Sequence, residues 1–140
     1  DNDDKIIIID TGGFDSGLNR ITALLSDLII TPVSDSVVEL QGLKTYEKVL
    51  EDLNKISSEK IFSHVILNSI DPRRKNFDEI KDFISESENF QVLDTVIRRR
   101  TDFRDSIALG KSVLEHNASS KAANELNSLI LEIKSILGIQ

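Results

Sequence analysis

The chain has 140 residues, 39% of them hydrophobic and 29% charged, which is the scale of one domain with enough apolar mass for a core and too much for disorder. Cysteine is absent and the only histidines are His64 and His116, which excludes disulfides, cysteine nucleophiles and Cys-based zinc sites and argues against a histidine metal cluster. The net charge of −7 argues against a general nucleic-acid binder, and the absence of a membrane-length apolar run or secretion signal leads us to expect a cytoplasmic protein.

Methionine is also absent, even at position 1. An Asp-Asn-Asp-Asp-Lys start running straight into four isoleucines reads as a piece of a longer protein. Lys5–Asp10 is then the first predicted strand, apolar on both faces as a parallel sheet covered by helices requires. At its end, Asp10 precedes Thr11, Gly12 and Gly13. An aspartate there can hold magnesium directly or through water, with glycines that let backbone approach a phosphate. It can equally cap a turn.

Asp27–Val33 is the second predicted strand. Its exit, Thr31–Ser36, opens a helix whose apolar positions Val37, Leu40, Leu43, Tyr46, Leu50 and Leu53 fall on one face behind a Ser34 or Asp35 cap. Taken alone, this is a well-capped strand-to-helix turn. Ser63–Asn68 is the third strand. Asn68 followed by Asp71 and Pro72 has the chemistry to read a purine edge, although an Asx-type turn is the simpler reading. A helix follows Asn76, with Phe77, Ile80, Phe83 and Ile84 on one side and Asp78 and Glu79 in its first turn.

Phe90–Leu93 is a weaker fourth strand. Arg98, Arg99, Arg100 and Arg104 then form the densest positive patch, opposed by Asp102 and Asp105. Phosphate contacts and a solvated helix start account for it about equally well. The last helix, from about residue 120 to 137, carries Leu126, Leu129, Ile130, Ile133 and Leu137 on one stripe, with Gly138 as its stop. Lys121 and Lys134 are too little basic charge for a membrane-surface anchor, so this stripe reads as core. Strand–helix alternation implies right-handed βαβ units and an α/β fold, a layered parallel β-sheet flanked by helices, with its working loops at the strands' carboxyl ends.

The succession of residues 6–13, 26–33 and 65–73, continued by residues 96–113 and 122–133, resembles the ParA/MinD family of deviant Walker ATPases, above all the ParA-type partition proteins. The resemblance implies a P-loop NTPase fold, ATP and Mg2+ as cofactors, and residues 1–140 as the C-terminal part of one ATPase domain. It assigns Asp10 to the magnesium water shell. Thr11, Gly12 and Gly13 become the γ-phosphate switch, Asn68 the adenine reader with Asp71 and Pro72 in its loop, and Pro32 and Asp35 a loop near the dimer face. Thr95–Arg98 becomes a loop against the base, and Phe14 stands where relatives often carry arginine.

The family's Gly-Lys-rich phosphate loop has no counterpart among the six glycines here, so the expectation is truncation and an inactive isolated chain. The implied partners are a second copy in an ATP-bound homodimer, non-specific DNA reached through Arg98, Arg99, Arg100 and Arg104, and a ParB-like centromere-binding protein. No membrane partner is implied, and the location would be the nucleoid. A degenerate non-catalytic scaffold and a MinD-like positioning ATPase are the alternatives. In the family the phosphate-loop strand sits mid-sheet, so its loss exposes apolar edges and invites association.

Overall fold

The computed structural model describes residues 6–13 and 15–139. Its elements alternate in the order α1 (Gly17–Leu25), β1 (Ile30–Val33), α2 (Val37–Asn54), β2 (Ser63–Ile70), α3 (Asp78–Ser85), β3 (Phe90–Arg98), α4 (Thr101–Ala108), α5 (Val113–His116) and α6 (Lys121–Leu137). The three strands form one parallel sheet in the order β1-β2-β3. The expected α/β architecture is therefore present, a parallel sheet with flanking helices.

β2 is the central strand because its residues can be apolar on both faces. Ser63 through Leu67 are buried in succession, as is Ile70. Val65 and Leu67 join Leu43 and Leu50 of α2 and Ile80 and Ile84 of α3 in the main core. Strand alternation turns His64 and Ile66 to the other face. A smaller core gathers Val113, Ala122 and Ala123 with Phe103, Leu114 and Leu126. The helices answer to their apolar periodicity, but not at every position. Leu43, Leu50 and Leu53 of α2 are buried while Val37, at its first turn, is exposed. Along α6, Leu126, Leu129, Ile133 and Leu137 are half-buried and Ile130 is exposed. Gly138 ends α6 in the left-handed conformation, φ 67°, which a glycine adopts without steric cost.

Four local expectations are corrected. Within Lys5–Asp10, the described residues Ile6–Asp10 form no strand, and Ile7 and Ile8 are 81% and 88% exposed. A parallel strand is held by the ladder on its flanks, and no described segment pairs with this run. Phe90–Leu93 is only the first part of β3, so Thr95–Arg98 is strand and not a loop against a base. The cap of α2 is Ser36, without a side-chain cap bond. Finally, α1, α4 and α5 are helices that apolar periodicity alone had not delimited.

The two sheet edges differ. The outer edge of β3 is covered by α6, whose Glu132 accepts the backbone N–H groups of Asp94 (2.7 Å) and Thr95 (3.0 Å). Glu125, one helical face along, accepts that of Arg98 (3.0 Å). These carboxylates occupy donors that another strand would otherwise pair with. The outer edge of β1 has no strand beside it among the described residues and lines a cleft of ≈ 780 Å³.

Candidate functional site

The parallel register aligns Val33 of β1 with Leu67 of β2, so the following loops leave the sheet side by side. Both emerge at the carboxyl ends of the strands, where an open α/β sheet places its ligands.

The Asp10 loop approaches from across the cleft. Thr11, Gly12 and Gly13 line one wall, and Thr31, Pro32 and Val33 line another. The carbonyl of Gly12 accepts a bond from the Asn19 side chain (2.8 Å), and Ser16 caps α1 by accepting the Asn19 backbone N–H (3.2 Å). Arg20 holds both oxygens of Asp15, at 2.7 and 2.8 Å, and lies 3.7 Å from Asp52 of α2. A Cβ added at Gly13 would meet nothing within 4 Å, so approach to this backbone is open. Phe14 lies outside the described residues.

Among the described residues no group of three or more acidic, histidine or cysteine side chains is placed to hold a metal. Asp10 is a single exposed carboxylate. That donor set fits magnesium held through water and substrate phosphates, not a protein-built cage. The triphosphate itself does not fit the described residues. No lysine among them lines the cleft, and its one lining cation, Arg20, is bound by Asp15.

In the second loop, Pro32 is exposed within β1. Asp35 does not cap α2. Its carboxylate accepts Arg74 Nη1 at 2.7 Å, crossing to the loop after β2. The start of the helix is instead closed by Ser34, whose N–H goes to Glu39 (2.6 Å) and whose hydroxyl accepts the Ser36 N–H (3.2 Å).

The third loop begins inside β2. Asn68 is exposed, and Ser69 takes the left-handed conformation at φ 57°, beside a register irregularity between Leu67 and Ile70. That conformation is uncommon outside glycine and re-aims the chain leaving the strand. Asp71 makes the Asx-type turn, accepting the Arg73 N–H at 2.8 Å, and also binds the Arg73 guanidinium at 3.2 and 3.0 Å. These bonds, the guanidinium ones first, hold its carboxyl down at about 2. Pro72 is exposed in the same turn. Asp10, Asp35, Asn68, Asp71 and Pro72 are not among the residues lining the cleft. The candidate residues thus fall into two groups, one at the cleft and one at the paired loops.

The arginine cluster divides. Arg100 binds Glu125 of α6 through Nε (3.0 Å) and Nη2, with side chains only 17% and 13% exposed. Arg98 lies 3.6 Å from the same carboxylate, its guanidinium 5.9 Å from the centre of the Phe77 ring. Arg99 and Arg104 are exposed. Arg99 reaches the Ser69 carbonyl at 3.4 Å, and Arg104 touches Asp105 at 3.4 Å.

Sequence reading missed Arg74, Glu125 and Glu132. Arg74 had a signal, since it closes the Asp-Pro-Arg-Arg run of the third loop. The glutamates had none, because only tertiary packing sets them against β3.

A model of the family described as "ATPase MipZ" matches residues 1–130. The chain is also 26% identical, over 133 residues, to the "Maintenance of carboxysome distribution protein A" of Halothiobacillus neapolitanus (strain ATCC 23641 / c2). That similarity covers 94% of this chain and 61% of the relative. The chain therefore spans about three fifths of the length of the curated relative it matches.

Proposed function

The chain belongs to the MipZ ATPase family, of ParA/MinD type, and we propose that in its natural length it is a nucleotide-switched ATPase that partitions or positions a cargo. The observation that carries this reading is the family match across residues 1–130, which takes in all three candidate loops. In this reading residues 1–140 are the C-terminal part of the ATPase domain, and a phosphate loop is supplied by sequence beyond them. Asp10 orders the magnesium water shell, and Thr11, Gly12 and Gly13 follow the γ-phosphate. Asn68, Asp71 and Pro72 face the base, while Pro32 and Asp35 lie toward the second protomer. ATP closes a homodimer that holds DNA without sequence preference, and a ParB-like partner triggers hydrolysis.

For DNA, the exposed Arg99 and Arg104 carry the reading better than Arg98 and Arg100, whose guanidiniums are packed against the single carboxylate of Glu125. The natural-length protein is expected to dimerise with ATP and Mg2+ and then retain DNA, less so as salt rises. Joint Arg99→Glu and Arg104→Glu replacement should lower the slope of log affinity against log salt by about 2. Asp10→Ala should abolish Mg2+-dependent hydrolysis. Sedimentation, filter retention of DNA and phosphate release measure these outcomes, and a natural-length protein that binds no ATP would return the reading to a degenerate scaffold.

A second reading, a MinD-like positioning ATPase, is supported by the similarity to a protein named for maintenance of carboxysome distribution. ATP-dependent binding to liposomes in place of DNA retention would select it.

A further inference from the structure

We infer that Arg74 is a positioning residue for the nucleotide site, a tie that holds the loop after β1 and the loop after β2 in one arrangement. The inference rests on the proposed assignment of those loops to nucleotide.

Each loop is braced within itself. The first is closed by the Ser34–Glu39 and Ser36–Ser34 bonds. The second is closed by Asp71 on Arg73, with the Ile70 carbonyl taken by the Arg99 N–H at 2.8 Å. Neither set reaches the other loop. Arg74 does, donating Nη1 to Asp35 at 2.7 Å and Nε to the Asn76 carbonyl at 3.1 Å. Asn76 in turn accepts the Asp78 N–H at 2.7 Å at the start of α3. One planar side chain thus joins the exit of β1, the exit of β2 and the start of α3.

Chemistry makes this more than an incidental surface pair. Asp35 stands one residue before the Ser36 cap of α2, and its carboxylate is committed across to Arg74. The two side chains are 34% and 28% exposed, and so are screened less than a free surface pair. The guanidinium uses two nitrogens in a fixed fork, which an ammonium cannot reproduce. The β1–β2 ladder ends at Val33 and Leu67, so beyond it Asp35 on one loop and Asp71 and Pro72 on the other are joined through Arg74, and its loss would free the two loops to move independently.

The test titrates ATP and GTP against the natural-length protein and its variants, with melting temperature recorded alongside. Arg74→Gln should weaken ATP binding roughly tenfold, within the coupling range of directly contacting residues, and narrow the preference for ATP over GTP. Arg74→Lys should fall between, and the exchange Asp35→Arg with Arg74→Glu should recover part of the preference lost in either single variant. If Arg74→Gln lowers melting temperature while the ATP-to-GTP ratio holds, the pair is structural only and the inference is overturned. If the unsubstituted protein binds no ATP, the proposed function fails first and this inference fails with it.

Discussion

His64 is 4% exposed, and its Nδ1 has no hydrogen-bond partner among the described residues. The Phe62 ring lies 5.0 Å away, and the His64 backbone N–H is held by the Ile29 carbonyl at 2.8 Å. Burial pushes the imidazole below its ordinary value of 6.5, opposed by the ring's interaction with the Ile29 backbone and by the charge of Glu132. The unfolded chain therefore takes up a proton near pH 6.5 while the folded chain resists. Stability is full above that pH and is lost as pH falls toward the depressed folded value. Urea unfolding at pH 7.5 and 5.5 should show this loss, and His64→Leu should remove most of it. At neutral pH that variant should be as stable as the parent or more so, since it deletes an unsatisfied buried group. An undiminished pH slope in His64→Leu would place the effect elsewhere. The residue itself was visible in the sequence as one of two histidines, but its missing partner was not, because burial and hydrogen bonding belong to the packed state.

At the scale of elements, the contact between α6 and β3 is made by charge as much as by apolar area. Glu125 alone serves the Arg98 N–H and the Arg98 and Arg100 guanidiniums. Glu125→Ala would leave these donors half-buried without their acceptor and should cost about 2–3 kcal/mol, less than a fully buried pair because water partly reaches it. Glu125→Gln keeps one acceptor oxygen and should cost less. Denaturant melts measure both, and amide exchange at Arg98 should accelerate in the alanine variant. A loss within a few tenths of a kcal/mol would mean the pair is no better than a surface one.

Helices α2, α3 and α6 and strands β1 and β2 were legible from their apolar period, although the cap of α2 was not. The full length of β3 was not, since Asp94, Thr95 and Arg98 interrupt its apolar run and are tolerated only because α6 carboxylates answer their backbone. Helix α1 offered a signal in Ser16 followed by Leu18 and Ile21, but none of its residues is buried. Its apolar spacing therefore describes a face without a core behind it.

Across the molecule, large apolar side chains are exposed in several segments. Ile6–Ile9, Leu18, Ile21, Leu25, Val37 and Val38 are among them, and the cleft beside β1 presents more apolar than polar surface. A sheet edge open to pairing beside so much apolar surface favours association. The 140-residue chain should therefore sediment faster as its concentration rises, and Ile7→Lys with Ile8→Lys should shift it toward monomer. Concentration-independent sedimentation would show that the chain tolerates this exposure.

The α/β class, the parallel sheet and the places of β1, α2, β2, α3 and α6 followed from sequence, because hydrophobic period acts over a few residues. The family likeness, too, rests on local motifs in a fixed succession. The roles of charged side chains were decided only by the tertiary structure. Asp35, expected as a helix cap, pairs with Arg74 while Ser36 holds the cap position, and Arg98 and Arg100 are not a free basic patch but partners of Glu125. The run of four isoleucines stayed outside the sheet. Charge pairing and strand pairing depend on which groups meet in space, and for Asp35 and Arg100 the partner stands far along the chain.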